Sequence, residues 1–190
     1  MDAITLLKND HQSVETKFAK FEALGDRAYK AKAAVVADVI EELSVHAAIE
    51  EMVFYPAIRE RLTDEEDGVL EALEEHHVMK WTLAELDGMS AEHPRFDAKF
   101  TVLMEMVRHH VKEEEGELFP AVRKGFTRTE LTEIGEMLKD AKASAPTKPH
   151  PGSPDTPPLN VLAAALTNPI DGLRNAGEAA VRKLRSVTSR

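Results

Sequence analysis

The sequence predicts an all-α protein: an up-down-up-down four-helix bundle with an internal two-fold repeat, then a short fifth helix, a flexible proline-rich linker and a C-terminal tail. Three observations carry that prediction. Apolar residues recur at three- and four-residue spacing through four long stretches of the first 125 positions, the period of a helix with one buried face. A segment of eleven residues occurs twice, sixty-four positions apart, as HAAIEEMVFYP from His46 to Pro56 and HVKEEEGELFP from His110 to Pro120. Six prolines crowd the stretch APTKPHPGSPDTPPLN, residues 145–160, through which no helix continues.

The first helix is expected from Ala3 to about Leu24, with Ile4, Leu7, Val14, Phe18 and Phe21 on its apolar stripe and Gly25 as the stop. His11 lies on that stripe. The second runs from about Lys30 to Leu62 and carries Val36, Val39, Ile40, Leu43, His46, Ile49, Glu50, Val53 and Phe54 inward. Pro56 is the one interruption, expected to kink the helix and free the carbonyl of Met52, as Pro120 would free that of Gly116. Asp64, Glu65, Glu66 and Asp67 suit the positive end of a third helix, which continues through Leu70, Leu73, His76, Met79, Leu83 and Leu86 to Gly88. After the loop SAEHPRF, a fourth helix is expected from about Asp97 to Lys124, through Leu103, Met106, His110, Glu114 and Leu118. Thr127 and Glu130 fit a capping box that opens a fifth, ending near Ala143 and lying across the bundle. Short connections between long helices favour antiparallel neighbours.

The repeat reaches beyond the two segments. Setting His11 against His76 places Val14 opposite Met79, Phe18 opposite Leu83 and Phe21 opposite Leu86, with an acid, Asp10 or Glu75, before each histidine. The first helix pair therefore matches the second, and an approximate two-fold axis relates them. The domain boundaries that follow are a bundle over residues 1–143, a linker over 144–160 and a basic tail over 161–190. The plainest reading of that tail, interrupted by Pro169 and Gly172, is a marginal helix with no fixed role; contact with the bundle, a membrane surface or a partner is the alternative.

Composition narrows the chemistry. The chain has no cysteine, so disulfides and thiolate ligation of metals are excluded and any metal is held by His, Asp or Glu. No run of eighteen apolar residues is present and the N-terminus MDAITLLKND lacks the order of a signal peptide, so a cytoplasmic location without a transmembrane segment is expected. The net charge of −10 divides into about −14 for residues 1–141 and +4 for residues 142–190. An acidic body repels phosphate backbones, so nucleic acid is not an expected partner.

In each repeated segment a histidine precedes a glutamate by four positions, and on a helix those side chains stack on one face. His11, His46, His76 and His110 with Glu50 and Glu114 would then surround one centre: two imidazoles to each of two ions, and both carboxylates bridging. A shared oxo or hydroxo group would add a fifth ligand and leave a position for O2, peroxide or NO. Such ligation suits iron, manganese or zinc better than calcium or magnesium, and redox chemistry requires iron or manganese. Carboxylates on apolar stripes are costly to bury without a cation. Each glutamate has a neighbour: a one-residue shift would let Glu115 replace Glu114, and the alternative for Glu51 and Glu115 is a solvated or supporting carboxylate. His77 and His109, adjacent to candidate ligands, read as surface or supporting residues, and Tyr55 as a core aromatic whose hydroxyl could face the metals. Ferritin-like diiron proteins set Glu before His at three-residue spacing, the reverse of the order here.

Over roughly residues 1–125 these motifs, DH at His11, HxxxEExxxYP at His46, EH at His76 and HxxxEExxxFP at His110, resemble the hemerythrin-like proteins, or HHE cation-binding domains. The resemblance implies a left-handed four-helix bundle with His11, His46, Glu50, His76, His110 and Glu114 as diiron ligands. It also implies reversible O2 binding, sensing of oxygen, iron or redox state, or reaction with peroxide or NO. One departure stands out: the fifth histidine of the O2 carriers on the third helix is absent, since Ala72 and Lys80 hold the positions four residues from His76. Turnover of a small oxidant such as peroxide is therefore favoured over O2 storage. The competing readings are a sensor that uses the same ions without turnover and a helical interaction module holding zinc or no metal.

Overall fold

The computed structural model describes residues 1–153, and these are all-helical. Helix α1 spans Ala3–Glu22 and starts where the Asp2 carboxylate accepts the Thr5 backbone N–H at 2.8 Å. Helix α2 spans Tyr29–Ile49 and passes through a π-helical turn, Glu50–Phe54, into α3, Tyr55–Arg61. A 3-10 turn, Thr63–Glu65, leads to α4, Glu66–Asp87. Helix α5, Phe96–Glu113, repeats the earlier pattern through a second π turn, Glu114–Leu118, into α6, Phe119–Gly125. Helix α7 spans Arg128–Lys142 and opens with the expected capping box between Thr127 and Glu130.

The prolines produce π turns where continuous α-helix with a kink was expected. Proline has no N–H to give, and in α geometry its ring meets the carbonyl four residues back. In the π turn the Tyr55 N–H reaches the Glu50 carbonyl and the Phe119 N–H reaches that of Glu114, five residues back. The wider turn removes the conflict just ahead of Pro56 and Pro120. It also starts, in both halves, at the glutamate singled out in the sequence.

Helix α1 packs on α2, α2 on α4 and α4 on α5. Phe18 and Phe21 of α1 meet Phe100 of α5, and Arg108 bonds Glu15 and Glu22, which closes the ring. Two apolar clusters fill the interior. One contains Val14, Phe18, Val39, Leu43, Met79, Leu83, Phe100 and Val107; the other contains Ile4, Leu7, Ile49, Phe54, Tyr55, Leu73, Phe119 and residues of α7. Each buried Phe contributes about 1.5–3 kcal/mol relative to exposure. On every long helix of the ring a buried histidine separates the two clusters: His11 follows Leu7 and precedes Val14, and His46, His76 and His110 take the corresponding positions. The sequence thus splits its core to make room for a polar band.

Helix α7 lies on α1, on α2 and on the Glu50–Phe54 turn. Its approach to the N-terminus requires Gly135, where a Cβ would stand 2.3 Å from the Met1 carbonyl oxygen and 2.9 Å from the Ala3 nitrogen. Beyond α7, Ala145 is buried and Lys148 bonds Asp87 at the end of α4. The expected tail over 161–190 and the end of the linker lie outside the described residues. Among the described residues, no helix is long and apolar enough to cross a membrane.

Candidate metal centre

All six residues singled out in the sequence converge in the buried polar band, each 7 % exposed or less. The helix period puts each histidine on an inward stripe, and the i,i+4 step delivers a glutamate beside it: His46 Nε2 stands 3.2 Å from Glu50 Oε2. The same Glu50 oxygen lies 3.4 Å from His76 Nε2, on the opposite half. Glu114 Oε2 lies 3.4 Å from His11 Nε2. Two groups with metal-ligand spacing result, His11, His46, Glu50 and Glu114 in one and Glu50, His76 and His110 in the other. Glu50 belongs to both, so its carboxylate stands where a bridge would.

The outward faces of the rings show why the inner nitrogens matter. His11 Nδ1 meets Glu115 Oε1 at 2.9 Å, His76 Nδ1 meets Glu51 Oε1 at 3.1 Å and His110 Nδ1 meets Glu75 Oε2 at 2.7 Å. A carboxylate accepts and does not donate, so these rings carry their proton on Nδ1 and aim the Nε2 lone pair inward. Yet His11 Nε2 is 3.1 Å from His46 Nε2, and His76 Nε2 is 3.3 Å from His110 Nε2. The His76 and His110 lone pairs, so close, repel unless a cation lies between them, whereas His46 Nδ1 bonds no carboxylate and its Nε2–H is free to donate to His11 Nε2. Both oxygens of Glu50 and Glu114 Oε2 are buried without a hydrogen-bond partner, which leaves unpartnered carboxyl oxygen facing the same space. The donor set of imidazole nitrogens and carboxylate oxygens fits divalent transition metals.

The supporting carboxylates obey the repeat. The acid preceding each first histidine faces the histidine of the partner helix: Glu75 bonds His110, and Asp10 lies 3.6 Å from His46 Nδ1, beyond hydrogen-bond reach. The residue after each central glutamate serves the opposite half, Glu51 at His76 and Glu115 at His11. Cations hold them in turn, Lys80 on both oxygens of Glu51 at 2.8 and 3.0 Å, Lys8 on Glu115 at 2.8 Å and Lys142 of α7 on Asp10. Glu115 therefore faces outward from His11 while Glu114 faces the centre. His77 and His109 are exposed. The supporting role of Asp10 and Glu75 escaped the sequence reading, although an acid at both aligned positions was its signal. The bond from Lys142 had no signal, because α7 lies outside the repeat.

One pair of positions breaks the symmetry chemically. Phe119 stacks on His11, its ring centroid 5.9 Å away, and Tyr55 packs against His76 at 5.5 Å. The Tyr55 hydroxyl donates to Glu114 Oε1 at 3.2 Å and lies 3.5 Å from His76 Nε2. The half that lacks the Glu114 oxygen thereby gains a phenol oxygen.

Burial, then the charges of Glu114 and Glu50, push the Tyr55 phenol well above its usual value. Burial and then the repulsion of Glu114 raise Glu50 well above the usual carboxylate range. For Glu114 burial acts in the same direction, but the adjacent His11 and the surrounding imidazoles outweigh it and hold the carboxyl down. Burial, reinforced by His110 and His46, drives His76 well below the ordinary imidazole value, and burial lowers His46 as well. At His11 the carboxylates of Glu114 and Glu115 outweigh burial and raise the ring's pKa, so the neutral form that binds metal is favoured at His46 and His76.

A small cavity of about 20 Å3 opens beside the four histidines, walled by Val14, Leu43, Ala47, Met79, Leu83 and Val107. Asp10 and Lys80 also line it.

An all-helical fold around a buried histidine and carboxylate cluster defines a cation-binding helical protein, and the comparisons give the family. The Hemerythrin HHE cation binding domain matches residues 2–122, and the chain belongs to that family. A hemerythrin-like protein of Schizosaccharomyces pombe is 28% identical over 170 residues, covering 89% of this chain and 83% of that protein. A DNA nickase of Nostoc is 26% identical over 143 residues, 75% of this chain but 40% of the nickase. The crystal structure of an HHE cation binding domain-containing protein from Mycobacterium kansasii superposes with a TM-score of 0.65 at 22% identity, over 98% of this chain and 99% of that one. That likeness concerns the fold.

Proposed function

We propose that this chain is a cytoplasmic non-haem diiron protein that reacts with a small oxidant, hydrogen peroxide foremost, with O2 and NO as the related ligands. One observation carries the proposal: the inward Nε2 lone pairs of His76 and His110, 3.3 Å apart, share a buried space with carboxyl oxygens that have no partner. Such a cluster is stable when positive charge occupies it. His11, His46, Glu50 and Glu114 would hold one ion and Glu50, His76 and His110 the other, with Tyr55 oxygen beside the second. Iron held there would supply the redox capacity to reduce and oxidise peroxide, which makes peroxide decomposition the enzyme form of this reading.

The protein's own part is positional. Glu115, Glu51 and Glu75 fix the Nδ1 tautomers, so the rings present Nε2 without further reorganisation. Tyr55 keeps its proton and donates it to Glu114, holding that carboxylate in place. The apolar walls of the cavity exclude bulk water and admit an uncharged ligand of about the size of a water molecule or two. The proposed architecture is a bundle of two equivalent halves over residues 1–143, with the linker and tail outside the chemistry. With a charge near −14 on residues 1–141, nucleic acid is not a proposed partner.

A sensor without turnover is the second reading. Lys142, at the end of α7, bonds the Asp10 that faces His46, so a change at this histidine has a route to the residues after α7.

Elemental analysis of the purified full chain tests the ligand set, with about two irons per polypeptide expected. Oxygen evolution on adding peroxide to that preparation then separates enzyme from sensor. Zinc, one metal or none under iron-replete expression would overturn the redox reading and favour a helical interaction module.

A further inference from the structure

The cavity beside the histidines is walled by two halves of the repeat, and several of its lining positions pair across them. Leu43 stands for Val107, Ala47 for Val111, His11 for His76 and His46 for His110. Val14 and Met79 are the exception among the apolar walls: an inert isopropyl group in one half, an oxidisable thioether in the other. Nothing in the packing calls for sulfur, since Leu83 and Leu86 complete the same stripe of α4 with hydrocarbon.

We infer that Met79 is a peroxide-oxidation site built into the ligand cavity, converted to methionine sulfoxide by peroxide that enters it. The inference rests on the proposed reading that peroxide reaches this site. A lone pair of the thioether sulfur attacks one peroxide oxygen and the O–O bond breaks. The transferred oxygen gives its proton to the departing hydroxide, so the products are one sulfoxide and one water. Sulfur is oxidised by two electrons and peroxide is reduced by two. The consequence follows from size. A cavity of about 20 Å3 gains a polar oxygen whose bulk approaches that of a water molecule, roughly 10–15 Å3. Oxidation therefore takes up much of the cavity and restricts access to the histidines, and a methionine sulfoxide reductase would reopen it.

The other methionines provide controls within the molecule. Met104 and Met137 are 3 % and 2 % exposed, close to the 6 % of Met79, but neither lines this cavity. The full-length, metal-loaded protein is treated with hydrogen peroxide over a time course, digested, and the oxidation of each methionine peptide followed by mass spectrometry. Met79 should oxidise on the order of tenfold faster than Met104 and Met137. Equal rates at the three positions would overturn the inference. Val14→Leu, which narrows the cavity from the opposite wall, should slow oxidation of Met79 and leave Met104 and Met137 unchanged; an unaffected Met79 would show that peroxide does not arrive this way. Peroxide consumption measured on the same samples keeps the two claims apart. Consumption with Met79 reduced sinks this inference alone, and Met79 oxidation without consumption supports it while the catalytic reading fails.

Discussion

Glu50 shows how one residue can be right for the loaded protein and wrong for the empty one. It is fully buried, repelled by Glu114 and without a hydrogen-bond partner at either oxygen. Glu50→Gln keeps the shape and removes the charge. In chelator-treated protein this substitution should raise the unfolding free energy, by about 1–3 kcal/mol, because an unpaired buried carboxylate is lost. In metal-supplied protein the same substitution should lower both metal content and melting temperature. Thermal unfolding with and without chelator reads both signs, and the same sign in both would refute a cation at Glu50. His46 and His76 add a pH dependence. Their folded values are depressed below the ordinary 6.5, so the stability of the neutral rings is present above that pH and lost as pH falls toward the folded values. Metal retention falls in the same direction, since a protonated ring cannot ligate. Dialysis from about pH 7 to about pH 5 should release metal, measured by elemental analysis. The six central residues were legible in the sequence because the i,i+4 step is local geometry. The fine assignment was not: which of Glu114 and Glu115 faces inward depends on the rotation of α5 against α1, visible only when Glu115 is seen on His11 Nδ1.

Among the elements, the two π turns and α7 carry the testable content. Each π turn begins at the central glutamate and ends just before the residue that precedes a proline, so the turn sets the register of the residues beyond it, Tyr55 and Phe119 included. Pro56→Ala restores an N–H and allows an α-helical register, which would rotate Tyr55 away from Glu114. Weaker metal retention at unchanged helix content by circular dichroism is the expected result. Gly135→Ala tests the seat of α7: its Cβ meets backbone atoms of the N-terminus, which have no rotamer to yield. A loss of about 1–3 kcal/mol in denaturant unfolding is expected. Thr127→Ala removes the capping box and should cost about 1 kcal/mol in the same assay. Helix lengths and their start signals could be read from periodicity and capping chemistry. The π turns could not, because a proline inside an apolar stripe is equally compatible with a kink, a break or a wider turn.

At the scale of the whole molecule, the polar band is a plane of charge between two apolar clusters, and its occupancy should govern stability. Chelation should lower the melting temperature of the full chain, and readdition of iron should restore it, as binding to the folded state alone requires. Truncation after residue 153 keeps every described contact, including Ala145 in the core and Lys148 on Asp87, and should leave metal content unchanged. Loss of metal on truncation would bring the tail into the site. The helical class, the repeat and the six central side chains were determined by the sequence itself. Their physical basis is local: a 3.6-residue period, an i,i+4 step and a duplicated pattern that must fold the same way twice. Tertiary structure alone decided the rest: that Asp10, Glu51, Glu75 and Glu115 face the imidazoles from neighbouring helices, that Tyr55 fills one half and Phe119 the other, and that Lys142 reaches Asp10 from α7. Those relations join residues up to 132 positions apart, and they are set by how helices rotate and settle against one another, which no local spacing records.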